Sequence, residues 1–142
     1  MQKTDEFIQN RIKWRAGKYT LSTGYTFFFD ELSHEIKQYL MTFLDRNLSG
    51  TPVIFFTKPS KAWTLVCTKQ VIGYHNQKPF KLDFEDIARI RGFNQNKKKE
   101  EWDELIVFNK QNDQYVLHTN NGYDHAALHN ILLMLSGMTN RS

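Results

Sequence analysis

After residue 50 the chain reads as seven short strand-like runs with no helical stretch between them. TPVIFFT is continuously apolar, KAWTLVCT alternates, VIGYH follows a Lys69-Gln70 turn, PFKLDF alternates again, and IARI, ELIVFN and QYVLHT complete the series. Parallel strands need crossover connections of about a dozen residues or more, so this spacing selects an antiparallel meander. A last amphipathic segment, Tyr123 to Ser136, places Ala127, Leu128, Ile131, Leu132 and Leu135 on one helical face, and Gly137 is expected to close it. Such a helix covers an open end or flank of a strongly bent sheet. The expected class is α+β.

The stretch FKLDFEDIARI, residues 80 to 90, marks where the sheet turns. If Phe80, Leu82 and Phe84 face one way, Glu85 and Asp86 fall at a corner where that strand ends, and Ile87 and Ile90 begin the next. Acids at a corner stay hydrated and cost little. ELIVFN and QYVLHT are expected to form a hairpin around Gln111 to Asp113.

The first fifty residues are different. Thr4 caps a predicted first helix, Asp5 and Glu6 suit its N-terminal dipole, and Phe7, Ile8 and Ile12 share a face. Arg11, Lys13, Arg15 and Lys18 decorate the remainder, and Gly17 is expected to end it. YTLSTGYTFFF reads as a short strand or an extended connector. Asp30 opens a second predicted helix carrying Leu32, Ile36, Tyr39, Leu40, Phe43 and Leu44, with a stop at Asn47 to Gly50. The expected organisation is a helical extension over residues 1–50 and a sheet domain over residues 51–142.

A single cysteine, Cys67, excludes an intramolecular disulfide framework, so packing must supply the stability and a reducing compartment fits best. MQKTDEFIQNRIKW lacks the apolar core of a signal peptide, and no apolar run nears the ~20 residues that cross a bilayer, so a cytoplasmic location is expected. The net charge is +4, unevenly spread. Lys58 to Lys99 holds ten Lys and Arg against three acids, whereas Glu100 to Ser142 holds two against six. A basic middle of this kind is expected either to steer a partner electrostatically or to be simply a solvated strand surface.

WTLVCTKQVIGYHNQKPFKLDFEDIARI resembles the middle of a bacterial pleckstrin-homology-like (PH-like) or GRAM-like domain. The likeness lies in a strand ending in Thr, a basic turn, a further strand, and an apolar and acidic corner closing on Asp-Ile. It runs from Thr51 to Gly137 and implies an antiparallel bent sheet or barrel of seven strands with a C-terminal helix. In that family the first strand loop often takes inositol phosphates through a Lys followed by a basic-x-Arg arrangement. Here the loop FTKPSKAW offers Lys58 and Lys61, with Trp63 where the Arg would stand. Two lysines act as flexible point charges where Arg would grip bidentately, which weakens the lipid reading.

Catalytic patterns are not evident. His125 and His129, four apart on the last helix, with His118 as a third group, have metal-ligand spacing, but beside an apolar stripe they read more simply as half-buried packing residues. No Ser lies in a Gly-x-Ser-x-Gly elbow, and no Gly-rich phosphate loop precedes a helix. Trp63, Tyr74, Phe80 and Phe93 interleave with basic residues, yet half-buried strands alternate in this way without any nucleic acid. The expectation is a non-enzymatic protein-binding module with no cofactor and no metal. By analogy it is an immunity or inhibitor protein neutralising a cognate bacterial toxin. Its acidic partner is met by Lys58, Lys61, Lys69, Lys78, Arg89, Arg91, Lys97, Lys98 and Lys99. The alternative is a peripheral domain for anionic, phosphoinositide-like lipid.

Overall fold

The computed structural model describes residues 3–91, 96–98 and 101–140. The order is α1 (Asp5–Ala16), β1 (Thr26–Phe28), a 3-10 turn (Phe29–Glu31), α2 (His34–Met41), α3 (Arg46–Ser49), β2 (Pro52–Thr57), β3 (Trp63–Cys67), β4 (Gln70–His75) and β5 (Lys78–Asp83). A second 3-10 turn (Phe84–Asp86), β6 (Ile87–Arg91), β7 (Glu104–Asn109), β8 (Gln114–His118) and α4 (Gly122–Asn140) follow. All pairings are antiparallel. One sheet has the order β1-β2-β3-β4-β5 and the other β6-β7-β8. The class is α+β, with the seven expected strands all present and the undecided early segment supplying an eighth.

The two sheets meet at Phe84–Asp86, where Phe84 is buried and Glu85 is exposed. That is the acidic corner expected from the sequence. A second seam is made by one hydroxyl: Thr64 Oγ1 donates to the His118 carbonyl and accepts from the His118 N–H, both at 2.9 Å. Between the sheets lies the main core, which includes Val53, Ile54, Phe56, Val66, Val71, Leu82, Leu105 and Leu117. α4 closes it with Ala127, Leu128, Ile131, Leu132 and Leu135, and α1 adds Ile12 and Ala16.

The helices follow local chemistry. Thr4 accepts from the Phe7 N–H at 3.1 Å, and α1 ends before Gly17. Phe7 is not on the buried face predicted for it. It is 41% exposed on the opposite side, because Ile8, Ile12 and Ala16 already fill the contact with the core. The expected helix from Asp30 is broken in two, since Leu32 is extended and Ser33 Oγ takes the Ile36 N–H as a new cap. α4 starts where Asn121 Oδ1 accepts from Tyr123 and Asp124, and it runs through Gly137 instead of stopping there. Gly137 keeps a helical conformation with nothing beside it, and no turn replaces the helix.

A second core lies outside the larger sheet. Leu32 and Leu40 cover Phe55, Trp63, Leu65, Cys67 and Ile72, with Phe27, Phe29, Phe43, Leu44 and Tyr74 at its margin. Trp63 stacks on Tyr74 at 5.5 Å, and Phe43 meets Trp63 edge-on at 5.3 Å. This layer explains why β3 is buried along its whole length: its alternate side chains go to two different cores. Cys67 is buried there, and burial pushes its thiol up to about 12, so it is inert.

Candidate interaction site

In an antiparallel meander the β2–β3 and β4–β5 connections share one end of the sheet. Lys58 and Lys61 lie on the first and Lys78 opens the strand after the second. Both connections use left-handed backbone at residues other than glycine: Lys61 at φ 71°, Asn76 at φ 51° and Gln77 at φ 63°. Asn76 and Gln77 form the two-residue turn whose twist suits a hairpin. Lys61 is pinned by its N–H to the Lys58 carbonyl at 2.8 Å.

Lys58 does not present its charge to solvent. Its side chain is 8% exposed, and its ammonium donates to Asp103 Oδ2 and to His118 Nδ1, each at 2.9 Å. An ammonium has no acceptor, so His118 Nδ1 must carry the lone pair and His118 Nε2 the proton. That N–H points to His75 Nδ1 at 2.7 Å, and His75 Nε2 lies 3.2 Å from the Asn76 amide. The two rings stack with centroids 5.0 Å apart. A polar chain from Asp103 to Asn76 thus ties the ends of β2, β4 and β8 to the start of β7.

Protonating His118 would break its bond with Lys58. Burial, then the Lys58 and His75 charges, push its pKa down to about 4 against the partial opposition of Asp103. His125 is also pushed to about 4, by burial first and His129 second. Its Nε2 is buried without a hydrogen-bond partner among the described residues, and its ring packs near Trp102. His129 is lowered by burial. His118 turns toward Lys58 and His75, so it does not complete a trio with His125 and His129. Among the described residues no group of three His, Cys, Asp or Glu side chains is arranged to hold a metal ion.

The remaining predicted residues divide by position. Lys61, Lys78, Lys97 and Lys98 are exposed, and Lys97 Nζ lies 3.8 Å from Asp103 Oδ1, which joins the β6–β7 connection to the same end. Arg91, at the tip of β6, is exposed beside that connection. Among the described residues of this connection and the start of β7 the acids are Glu101, Asp103 and Glu104, and Asp103 is already occupied by two lysines. Lys69 sits at the far end of the sheet, on the β3–β4 turn, where its Nζ reaches the Asn47 carbonyl at 3.4 Å. Arg89 lies over the Phe108 ring at 3.7 Å on the face of the smaller sheet. Lys99 is outside the described residues.

The sequence placed Lys58 among the partner-facing cations because it opens the basic middle and stands in the loop FTKPSKAW. Its partners lie 45 and 60 positions away, a separation no local pattern reveals. Replacing Lys58 by Met keeps the buried stem and removes the charge, leaving His118 Nδ1 unpaired. The expected loss is about 1–3 kcal/mol in denaturant melts, where a surface lysine would cost under about 0.5 kcal/mol. A loss below about 0.5 kcal/mol would mean the chain contributes nothing to folding.

Among the described residues no helix is long and apolar enough to cross a membrane. No protein-family model matches the chain, and no curated protein matches it. Among solved structures it is similar to the C-terminal domain of an unknown protein from Leishmania infantum, at 17% identity and a TM-score of 0.41, over 51% of this chain and 69% of that chain.

Proposed function

We propose that the protein is a non-enzymatic binding module that meets an acidic protein surface with the lysine-rimmed loop end. Lys61, Lys78, Lys97 and Lys98, with Arg91 beside them, form that rim. The supporting observation is the fate of Lys58: the cation that the family resemblance would place on a lipid phosphate is buried against Asp103 and His118. What remains at the rim is solvent-exposed charge, with Lys97 alone of the four lysines reaching an acid, Asp103, among the described residues, and exposed charge of this kind is suited to steering an approaching partner. An immunity or inhibitor protein acting on a toxin with an acidic face is the specific form of this reading, and the cytoplasm is the compartment proposed for it.

The test compares the wild type with the triple variant Lys61→Gln, Lys78→Gln, Lys98→Gln. Folding stability should move by less than about 0.5 kcal/mol. Association with the acidic protein that co-elutes from host extract should slow about tenfold at low salt and less at physiological salt, where screening acts over ~8 Å. Vesicles containing phosphoinositides should not sediment the protein at physiological salt. Vesicle binding lost in the triple variant, with no protein partner found, would replace this reading by the lipid one.

A further inference from the structure

The outward side of α1 carries a pattern unrelated to the loop end. Lys3, Phe7, Arg11, Trp14 and Lys18 recur at spacings of four, four, three and four, which places them in one line along the helix and its flanks. The cations lie over the rings. Lys3 Nζ is 5.2 Å from the Phe7 centroid, and Arg11, Lys18 and Arg15 are 4.4, 4.3 and 5.1 Å from the centroid of Trp14. Trp14 remains 47% exposed.

Beside this line is a groove of about 400 Å³ between α1 and α4. Arg11 and Arg15 form one wall, and Asn130, Leu133, Met134 and Met138 belong to the other. Leu133 is 50% exposed, although its neighbours Leu132 and Leu135 are fully used in the core. Arg15 Nε is buried with no hydrogen-bond partner among the described residues. No described acid lies within ion-pair distance of Arg11, Arg15 or Lys18, whereas Lys13 has Asp30 at 3.5 Å. The groove therefore combines guanidinium groups that have no described acid partner with a short apolar wall, and the exposed Trp14 indole lies outside it, under the Arg11 and Arg15 guanidinium groups. Arg and Trp are the side chains that most often anchor a protein interface.

We infer that the α1–α4 groove is a second binding site, which takes an acidic peptide segment of a partner protein carrying an apolar anchor residue. Carboxylates would accept paired N–H bonds from Arg11 and Arg15, for which guanidinium geometry is suited. The apolar anchor would lie on Leu133 and Met138. The positions over the Trp14 ring that a stacking base needs are held by Arg11 and Lys18, which disfavours nucleic acid. A concave, arginine-walled site likewise suits a chain segment better than a flat bilayer.

The experiment uses the full chain and a fluorescein-labelled twelve-residue peptide of repeating Glu-Glu-Leu, read by anisotropy at low salt. Saturable binding is expected, weakened at least tenfold by Arg11→Gln with Arg15→Gln and by Leu133→Glu, and less by the double Lys substitution at the same arginines. The triple loop variant Lys61→Gln, Lys78→Gln, Lys98→Gln should bind the peptide as the wild type does, so the two surfaces succeed or fail separately. An all-Glu peptide should bind more weakly. Circular dichroism and melting of each variant should match the wild type, because the substituted side chains lie outside both cores. Absence of peptide binding, or binding indifferent to the arginines, would overturn the inference. So would arginine-dependent binding of phosphatidylglycerol vesicles or oligothymidine in place of the peptide.

Discussion

Leu132→Ala is expected to lower stability by about 2–5 kcal/mol, the range for deleting a buried leucine side chain into a site that cannot collapse. Leu132 has no exposed surface and shares its core with α1 and both sheets. The cavity would open where three layers meet, and no single element can move to fill it without losing contact with another. A fall in the denaturant midpoint at unchanged slope is the expected signature. Leu133→Ala, one position on and 50% exposed, is the internal control and should change stability by less than about 0.5 kcal/mol. A loss under about 0.5 kcal/mol for Leu132→Ala would show that α4 does not seal the sheets.

Acid should act through two rings at once. His118 and His125 are both held to about 4 in the folded protein, against an ordinary value of 6.5 that the unfolded chain keeps. Between these values the unfolded state binds more protons, so stability is fully present above about pH 6.5 and is lost as pH falls toward 4. A shift of this size on one ring corresponds to about 3 kcal/mol as an upper figure, and relaxation of the polar surroundings on protonation reduces it to about 2 kcal/mol each. The pair should thus remove roughly 4 kcal/mol between pH 6.5 and 4. For His118 the charges facing the ring are Lys58, His75 and Asp103, and for His125 they are His129 and Asp103. In Lys58→Met the cation that opposes protonation is gone, so the deficit of that variant at pH 7 should narrow at pH 4.5. Melts showing flat stability from pH 7 to pH 4.5 would contradict this account.

The strand series and the buried stripe of α4 could be read from the sequence because they depend on neighbours two to four residues apart. Residues 80 to 90 were equally legible, since the acidic pair interrupts an otherwise apolar alternation. The outer core was not. Trp63, Leu65 and Cys67 announce a buried face, but alternation alone does not say which face, and here it is the one covered by Leu32 and Leu40. Ser33 divided the predicted second helix because a cap within a periodic run competes with the helix it interrupts. The charged surface was the least legible part. A lysine's neighbours are set by tertiary structure, so Lys58, Lys61 and Lys69 looked alike in sequence and occupy a buried ion pair, an exposed loop and the opposite end of the sheet. Trp14 carried a usable signal in its spacing from Phe7, Arg11 and Lys18, overshadowed by the larger basic run after residue 57.

The early strand β1 has a consequence for how partners can approach. It lies along β2 from Thr26 to Phe28, opposite Phe56 to Ile54, so the long apolar β2 is an interior strand. The border left open on that side is only three residues long. So short a border offers few unpaired backbone groups to a foreign chain, which is a common protection against edge-to-edge aggregation and against peptides that bind by joining a sheet. Whatever this protein recognises through that flank must be selected by side chains, and mutations that strip β1 from β2 should expose the longer β2 border and increase assembly through the backbone.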